Sequence, residues 1–205
     1  MPKLLSTEQM AEFANSGCLF FEGLIDEDIN KEFLNDIGHT DIDDVDNIQH
    51  YFQNIKSSSS IPRIPAGTAL KDAYPLNSPL EKIFKNAIVS GAINSLVGSK
   101  TVVDHQFLHL TFPSKYYAKA NQRQMSQVNH QDSTIDPRTT FDIQLFYFPT
   151  AVTKEMGGTR YIPGTHLRIV NEMGIAKYQN IKGQKNIICK AGTIGIFHNG
   201  LWHGA

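Results

Sequence analysis

Eight histidines, at positions 39, 50, 105, 109, 130, 166, 198 and 203, are the residues of this chain with the widest chemical reach. His130 and Asp132 stand two apart in VNHQDST. On an extended segment such side chains leave the same face about 7 Å apart at the backbone, so both can converge on one ion. Beyond several strand candidates, GLWHGA adds His203, which a rolled-up sheet can bring beside them. Two imidazoles and one carboxylate on one face of an octahedron leave three positions open. Non-heme Fe(II) uses that arrangement to bind a bidentate cosubstrate and oxygen, so the geometry predicts an oxygenase. His105 and His109 form HQFLH, superficially the spacing of a zinc-protease helix. Gln106 stands where that motif needs its general base. The alternating pattern around it makes a strand, on which residues four apart lie roughly 13 Å from each other. These two read as core or surface histidines.

Positioning such a site takes a packed scaffold, and 205 residues fit one domain. Charged residues at 19% and apolar ones at 40% suit a core and exclude a long disordered tail. A net charge of -1 leaves no basic excess to hold a phosphate backbone, so no nucleic-acid partner is expected. No run of apolar residues is long enough to span a membrane, and MPKLLSTEQMAEF turns polar too early for a secretory signal. Two cysteines, Cys18 and Cys189, are too few for a disulfide framework, which points to a cytoplasmic setting.

The first forty residues read as helix, strand, helix. Ser6 and Gln9 form a capping box, Met10, Phe13 and Ala14 share a face, and Gly17 is the stop. CLFFEGLI has strand character, and Asp26 caps a helix with the stripe Ile29, Phe33, Leu34, Ile37 before Gly38. Residues 39 to 77, with the acidic run DIDDVD and serines Ser57 to Ser60, read as loop. The acidic run is a solvated face, lacking the Gly and closing Glu of a calcium loop. A single helix is expected from Pro79 to Val97, capped by Ser78 and packing through Leu80, Phe84, Ala87 and Ile88. From Thr101 onward TVVDHQFLHLTF, FDIQLFYFP, TRYIP, KNIICK and TIGIF are strand candidates. Helices followed by strands imply an α+β chain whose second half is a β-sandwich or barrel.

HQD, GGTRYIPGTHLR and AGTIGIFHNGLWHGA resemble the three central blocks of the phytanoyl-CoA dioxygenase family. The opening LSTEQMAEFANSGCLFFEGLIDEDI is similar to that family's N-terminal helix, strand and helix. The resemblance implies a double-stranded β-helix (jelly-roll) core with the N-terminal helices packed on its outer face. It implies a single domain over 1–205, helical in 1–98 and jelly-roll in 99–205. It implies Fe(II), with 2-oxoglutarate as cosubstrate and O2 as oxidant. Carried over position by position, His130, Asp132 and His203 match the metal triad. Tyr147 falls about where the family places an aromatic beside the cosubstrate, and Thr159 lies in a strand facing the pocket. His198 and His166 match positions that shape the fold rather than bind metal. The family anchors the distal carboxylate of 2-oxoglutarate with an arginine about ten residues past the last histidine, where a guanidinium fork matches a carboxylate. That arginine and its closing strand are expected beyond Ala205; the alternatives are another basic residue in its place or a degenerate site.

The leading expectation is therefore a hydroxylase of a small organic substrate. Its rival is a jelly-roll that keeps the triad and binds a ligand without turnover, and an arginine beyond Ala205 would favour the enzyme. Asp132 argues against a halogenase, in whose relatives a small residue replaces the carboxylate. A zinc hydrolase is a poor fit, since no Glu or His is clearly placed as a base. Specificity is expected from residues 39 to 77 and from PSKYYAKANQRQMSQVN before the triad, a lid candidate. Its Lys115, Lys119 and Arg123 read as a solvated face.

Overall fold

The structure, a computed structural model, describes residues 1–39, 61–110, 127–132, 141–168, 174 and 180–205. The acidic run at 41–46, Ser57 to Ser60, and Lys115, Lys119 and Arg123 lie outside the described residues. In chain order the elements are α1 (Thr7–Ser16), β1 (Cys18–Phe21), α2 (Glu27–Asp36), β2 (Thr68–Ala69), α3 (Pro79–Lys85), α4 (Ala87–Val97), β3 (Val102–Val103), β4 (Ile143–Phe148), β5 (Arg160–Tyr161), β6 (Lys185–Asn186), β7 (Thr193–His198) and β8 (His203–Gly204). The architecture is α+β with antiparallel sheets. Among the described residues no helix is long and apolar enough to cross a membrane. Two compact units divide the chain: Met1–Leu4 with Ile25–Pro113, and Leu5–Leu24 with Ser114–Ala205.

In the first unit the expected single helix over Pro79 to Val97 is two helices. Asn86 leaves helical geometry, with φ -52° and ψ 133°, and turns its side-chain oxygen back to accept the N–H groups of Ile88 at 2.9 Å and Val89 at 3.4 Å. One side chain thus ends α3 and caps α4, satisfying donors that a helix start otherwise leaves open. The break also changes which residues are covered. Ile83 and Val89 are buried, while Leu80, Phe84 and Ile88 are half-buried and Ala87 is exposed. Phe84 stacks instead on Tyr74 at 5.0 Å. Replacing Asn86 by Ala should cost about 1 kcal/mol, read as a lower denaturant midpoint. Asn86→Asp, which keeps a capping oxygen, should cost less. Equal losses would show that the cap is not what divides the helix.

Residues 104–110 keep the expected alternation without entering a ladder beyond Val103. His105, Phe107 and His109 are exposed, and Gln106, Leu108 and Leu110 are half-buried. His105 stacks on Phe107 and pairs with the Asp104 carboxylate at 2.6 Å.

In the second unit the capping box of Ser6 and Gln9 starts α1 and Gly17, at φ 80°, ends it. The chain then passes straight into β1, which pairs with β7, so residues 5–24 lie with the strands and not with the helical part. One sheet runs β1-β7-β4 and the other β6-β5-β8. Cys18, Phe197 and Phe146 from the first sheet share a core with Tyr161, Ile187, Cys189 and Leu201. Side chains from the two sheets thereby exclude water between them. Cys18 and Cys189 are both buried free thiols.

Candidate metal centre

His130 and His203 come from chain segments that meet only in the folded sheet. Their backbones exchange two hydrogen bonds, His130 N–H to His203 O at 2.8 Å and His203 N–H to His130 O at 3.0 Å. A directly opposed antiparallel pair shares one face, which places the two rings 4.5 Å apart between centroids. Asp132, two residues on, returns to that face as the spacing in HQD requires. Its Oδ1 lies 3.3 Å from His130 Nε2 and its Oδ2 3.2 Å from His203 Nε2. One ligand atom from each of the three residues fits within a 4.8 Å cluster. His203 is buried, while the side chains of His130 and Asp132 each keep 22% exposure, so the cluster is open on one side.

Backbone carbonyls set the state of both rings. His130 Nδ1 donates to Val128 O and His203 Nδ1 to Leu201 O, each at 2.9 Å and each two residues back. With the proton on Nδ1, each Nε2 presents a lone pair toward the carboxylate. Gln131, between the ligands, donates to Gly200 O at 2.6 Å and ties the two ligand segments together again. Burial opposes the charge on Asp132, yet when the Nε2 atoms of His130 and His203 carry protons, their hydrogen bonds and charge outweigh that and hold its carboxyl well below the usual carboxylate range. Among the described residues Asp132 Oδ2 is buried with no hydrogen-bond partner beyond the 3.2 Å approach of His203 Nε2. Two lone pairs and an unsatisfied carboxylate oxygen directed at one point make a donor set for a cation, and its N2O composition suits a first-row divalent metal.

Tyr161 pairs with His203, and Thr159 stands just before β5, where its carbonyl accepts Ile187 N–H at 2.7 Å. Phe146 packs its ring 6.0 Å from that of His203, and Tyr147, the next residue on β4, points to the opposite face. Phe197 lies beside His203 as well, its ring 6.2 Å from that of His203 and 4.7 Å from that of Phe146. Gln127 was not singled out by the sequence, yet its amide nitrogen stands 3.4 Å from His130 Nε2. A lone Gln before a ligand segment carries no pattern that would reveal it.

His166 and His198 serve the scaffold. His166 Nε2 donates to Ala14 O at 3.0 Å, clasping the end of α1, and His198 Nδ1 accepts Gly200 N–H at 2.9 Å. Their rings lie 4.9 Å apart. Burial first, and His166 second, push His198 down to about 4, while burial lowers His166 against the opposing pull of the Ala14 carbonyl. Both values fall below those of the unfolded chain. The stability these neutral rings contribute is therefore complete above pH ~6.5 and is lost as pH falls toward 4. Water still reaches part of the His198 ring, so its share should be roughly 1–2 kcal/mol. His198→Asn, which keeps an acceptor for Gly200, should flatten the melting temperature against pH over that interval. An unaltered slope would assign the acid sensitivity elsewhere.

The phytanoyl-CoA dioxygenase (PhyH) family matches residues 13–205. No curated protein matches the chain. Among solved structures, HygX from Streptomyces hygroscopicus with iron bound is similar at 12% identity and TM-score 0.60, over 98% of this chain and 80% of that one. AviO1 from Streptomyces viridochromogenes Tue57 is similar at 14% identity and TM-score 0.59, over 100% of this chain and 88% of that one. SnoK, a non-heme alpha ketoglutarate dependent carbocyclase from nogalamycin biosynthesis, is similar at 15% identity and TM-score 0.55, over 100% and 79%. HygX has also been crystallised with nickel and 2-oxoglutarate. Identities of this size speak for the fold alone. The family match, extending from within α1 past the last histidine, does more: this chain belongs to the phytanoyl-CoA dioxygenase family of non-heme iron, 2-oxoglutarate-dependent oxygenases.

Proposed function

We propose that the protein hydroxylates a small organic substrate, with His130, Asp132 and His203 as its iron ligands. The observation that carries this reading is the convergence of two imidazole Nε2 atoms and one carboxylate within 4.8 Å, both rings held by their own backbone carbonyls. When bound there, Fe(II) with 2-oxoglutarate and O2 supplies an oxidant able to take hydrogen from a substrate C–H bond. The chain's own part is to hold three ligands on one side and leave the other side free. Asp132 brings the negative charge that two neutral imidazoles lack. Phe146 and Phe197 wall His203 off from water. Thr159, just before β5, is read as a cosubstrate contact. The two sheets that share one core are read as the sandwich of a double-stranded β-helix.

Among structures of this fold are a carbocyclase and an epimerase, so the product has to be identified and not only turnover. The test is conversion of 2-oxoglutarate to succinate with added Fe(II), against a panel of natural-product, lipid-acyl and amino-acid-derived substrates, with products weighed by mass spectrometry. Hydroxylation adds one oxygen, oxidative ring closure removes two hydrogens and epimerisation leaves the mass unchanged. Metal binding without succinate from any substrate would favour a ligand-binding protein.

A further inference from the structure

Arg160 is buried to 8% exposure, and no carboxylate answers it among the described residues. A guanidinium in that position is costly unless its N–H groups find acceptors. Its Nε donates to Asn129 Oδ1 at 2.9 Å and its Nη2 to Gln127 O at 2.6 Å. These two donors form one edge of the planar fork, so the fork grips a three-residue stretch at both ends. That stretch precedes His130, and its middle residue, Val128, supplies the carbonyl that orients the His130 ring.

The other end of Arg160 belongs to the opposite half of the centre. Its backbone lies in β5, where Arg160 pairs with Gly204 and Tyr161 pairs with His203. Since His130 pairs with His203, Asn129 falls beside Gly204 on the face away from the ligands. Asn129, Gly204 and Arg160 thus make a row across three segments, and the arginine crosses over the glycine to reach the asparagine. Gly204 is the residue that leaves room. A Cβ there would stand 2.9 Å from Gln127 O and from Val128 O and 3.0 Å from Arg160 Nη2.

We propose that Arg160 is a positioning residue of the metal centre: its fork spans from the strand beside His203 to the segment carrying His130 and Asp132, and sets the ligand spacing before a metal binds. The inference rests on reading the triad as a metal site. Gly204 completes the device by being small.

Co(II) titration of the whole chain tests this, with affinity and the visible d–d spectrum as readouts and circular dichroism and melting temperature as the check on folding. Arg160→Met should lower Co(II) affinity about 10–100-fold and shift the spectrum, since supporting residues behind metal ligands act at that level. Arg160→Lys keeps the charge but offers one point instead of a fork, so it should recover part of the affinity. Gly204→Ala, which keeps the arginine residue but crowds its Nη2 and the Gln127 and Val128 carbonyls, should weaken binding in the same direction. If the methionine variant does not fold, the lysine and alanine variants carry the test. Folded variants with wild-type affinity and spectrum overturn the proposal, even with a lowered melting temperature. A wild-type chain that binds no Co(II) overturns the metal reading itself, and is seen without any Arg160 variant.

Discussion

Asp132→Ala is expected to abolish useful metal binding while leaving the fold intact. Residues behind a ligand change metal affinity about 10–100-fold, so loss of the one carboxylate ligand should exceed the upper end of that range. The reason is charge: two neutral imidazoles face a divalent ion with nothing to offset it. Melting of the metal-free protein should move by no more than a few degrees, or roughly 1 kcal/mol, because the side chain keeps 22% exposure and anchors no backbone group among the described contacts. In the wild type, low pH should weaken the metal, since a proton and the ion compete for the same Nε2 lone pairs. Isothermal titration with Fe(II) or Ni(II) and a thermal melt of each apo-protein decide the matter. Retained metal binding together with an unfolded apo-variant would make Asp132 a structural acceptor and end the mechanism proposed above.

Trp202→Ala should bring the largest loss of stability. Trp202 is 1% exposed and precedes the candidate ligand His203. Its backbone N–H donates to Thr165 Oγ1 at 3.0 Å and its backbone carbonyl accepts Ile162 N–H at 3.0 Å, so its main chain ties the PGTH turn to the strand of His203. Truncating a buried ring of this size costs about 3–5 kcal/mol, a large part of a domain's total stability. Among the described residues, however, the indole N–H is buried without an acceptor. Trp202→Phe keeps most of the volume and removes that unmet donor, so it should cost about 1 kcal/mol. Urea unfolding midpoints separate the two cases. A phenylalanine variant as unstable as the alanine one would mean that the ring's shape, not its burial, holds β8 in place.

His130 and Asp132 were legible because their relation is local: a spacing of two on an extended segment puts both on one face whatever surrounds them. Ser6, Gln9 and Gly17 were legible for the same reason, since a cap is a bond between near neighbours. The division at Asn86 was not, because the apolar stripe runs through it unbroken and only a bond to Ile88 and Val89 turns the residue from helix interior to cap. Tyr147 and Phe146 differ by one position in IQLFYF, a strand with too little alternation to tell its faces apart. A shift of one residue then exchanges the aromatic beside His203 for one on the far side.

The sequence by itself determined the chemistry available to this protein: which candidate ligand types it has, the spacing that pairs two of them, and the family blocks in which all three stand. Tertiary structure decided how they meet. His203 reaches His130 through the register of a strand pair, Phe146 reaches His203 through the pleat, and Arg160 reaches Asn129 across Gly204. Each of these depends on which residues lie opposite one another between segments distant in the chain, and backbone pairing of that kind leaves no local periodicity in the sequence.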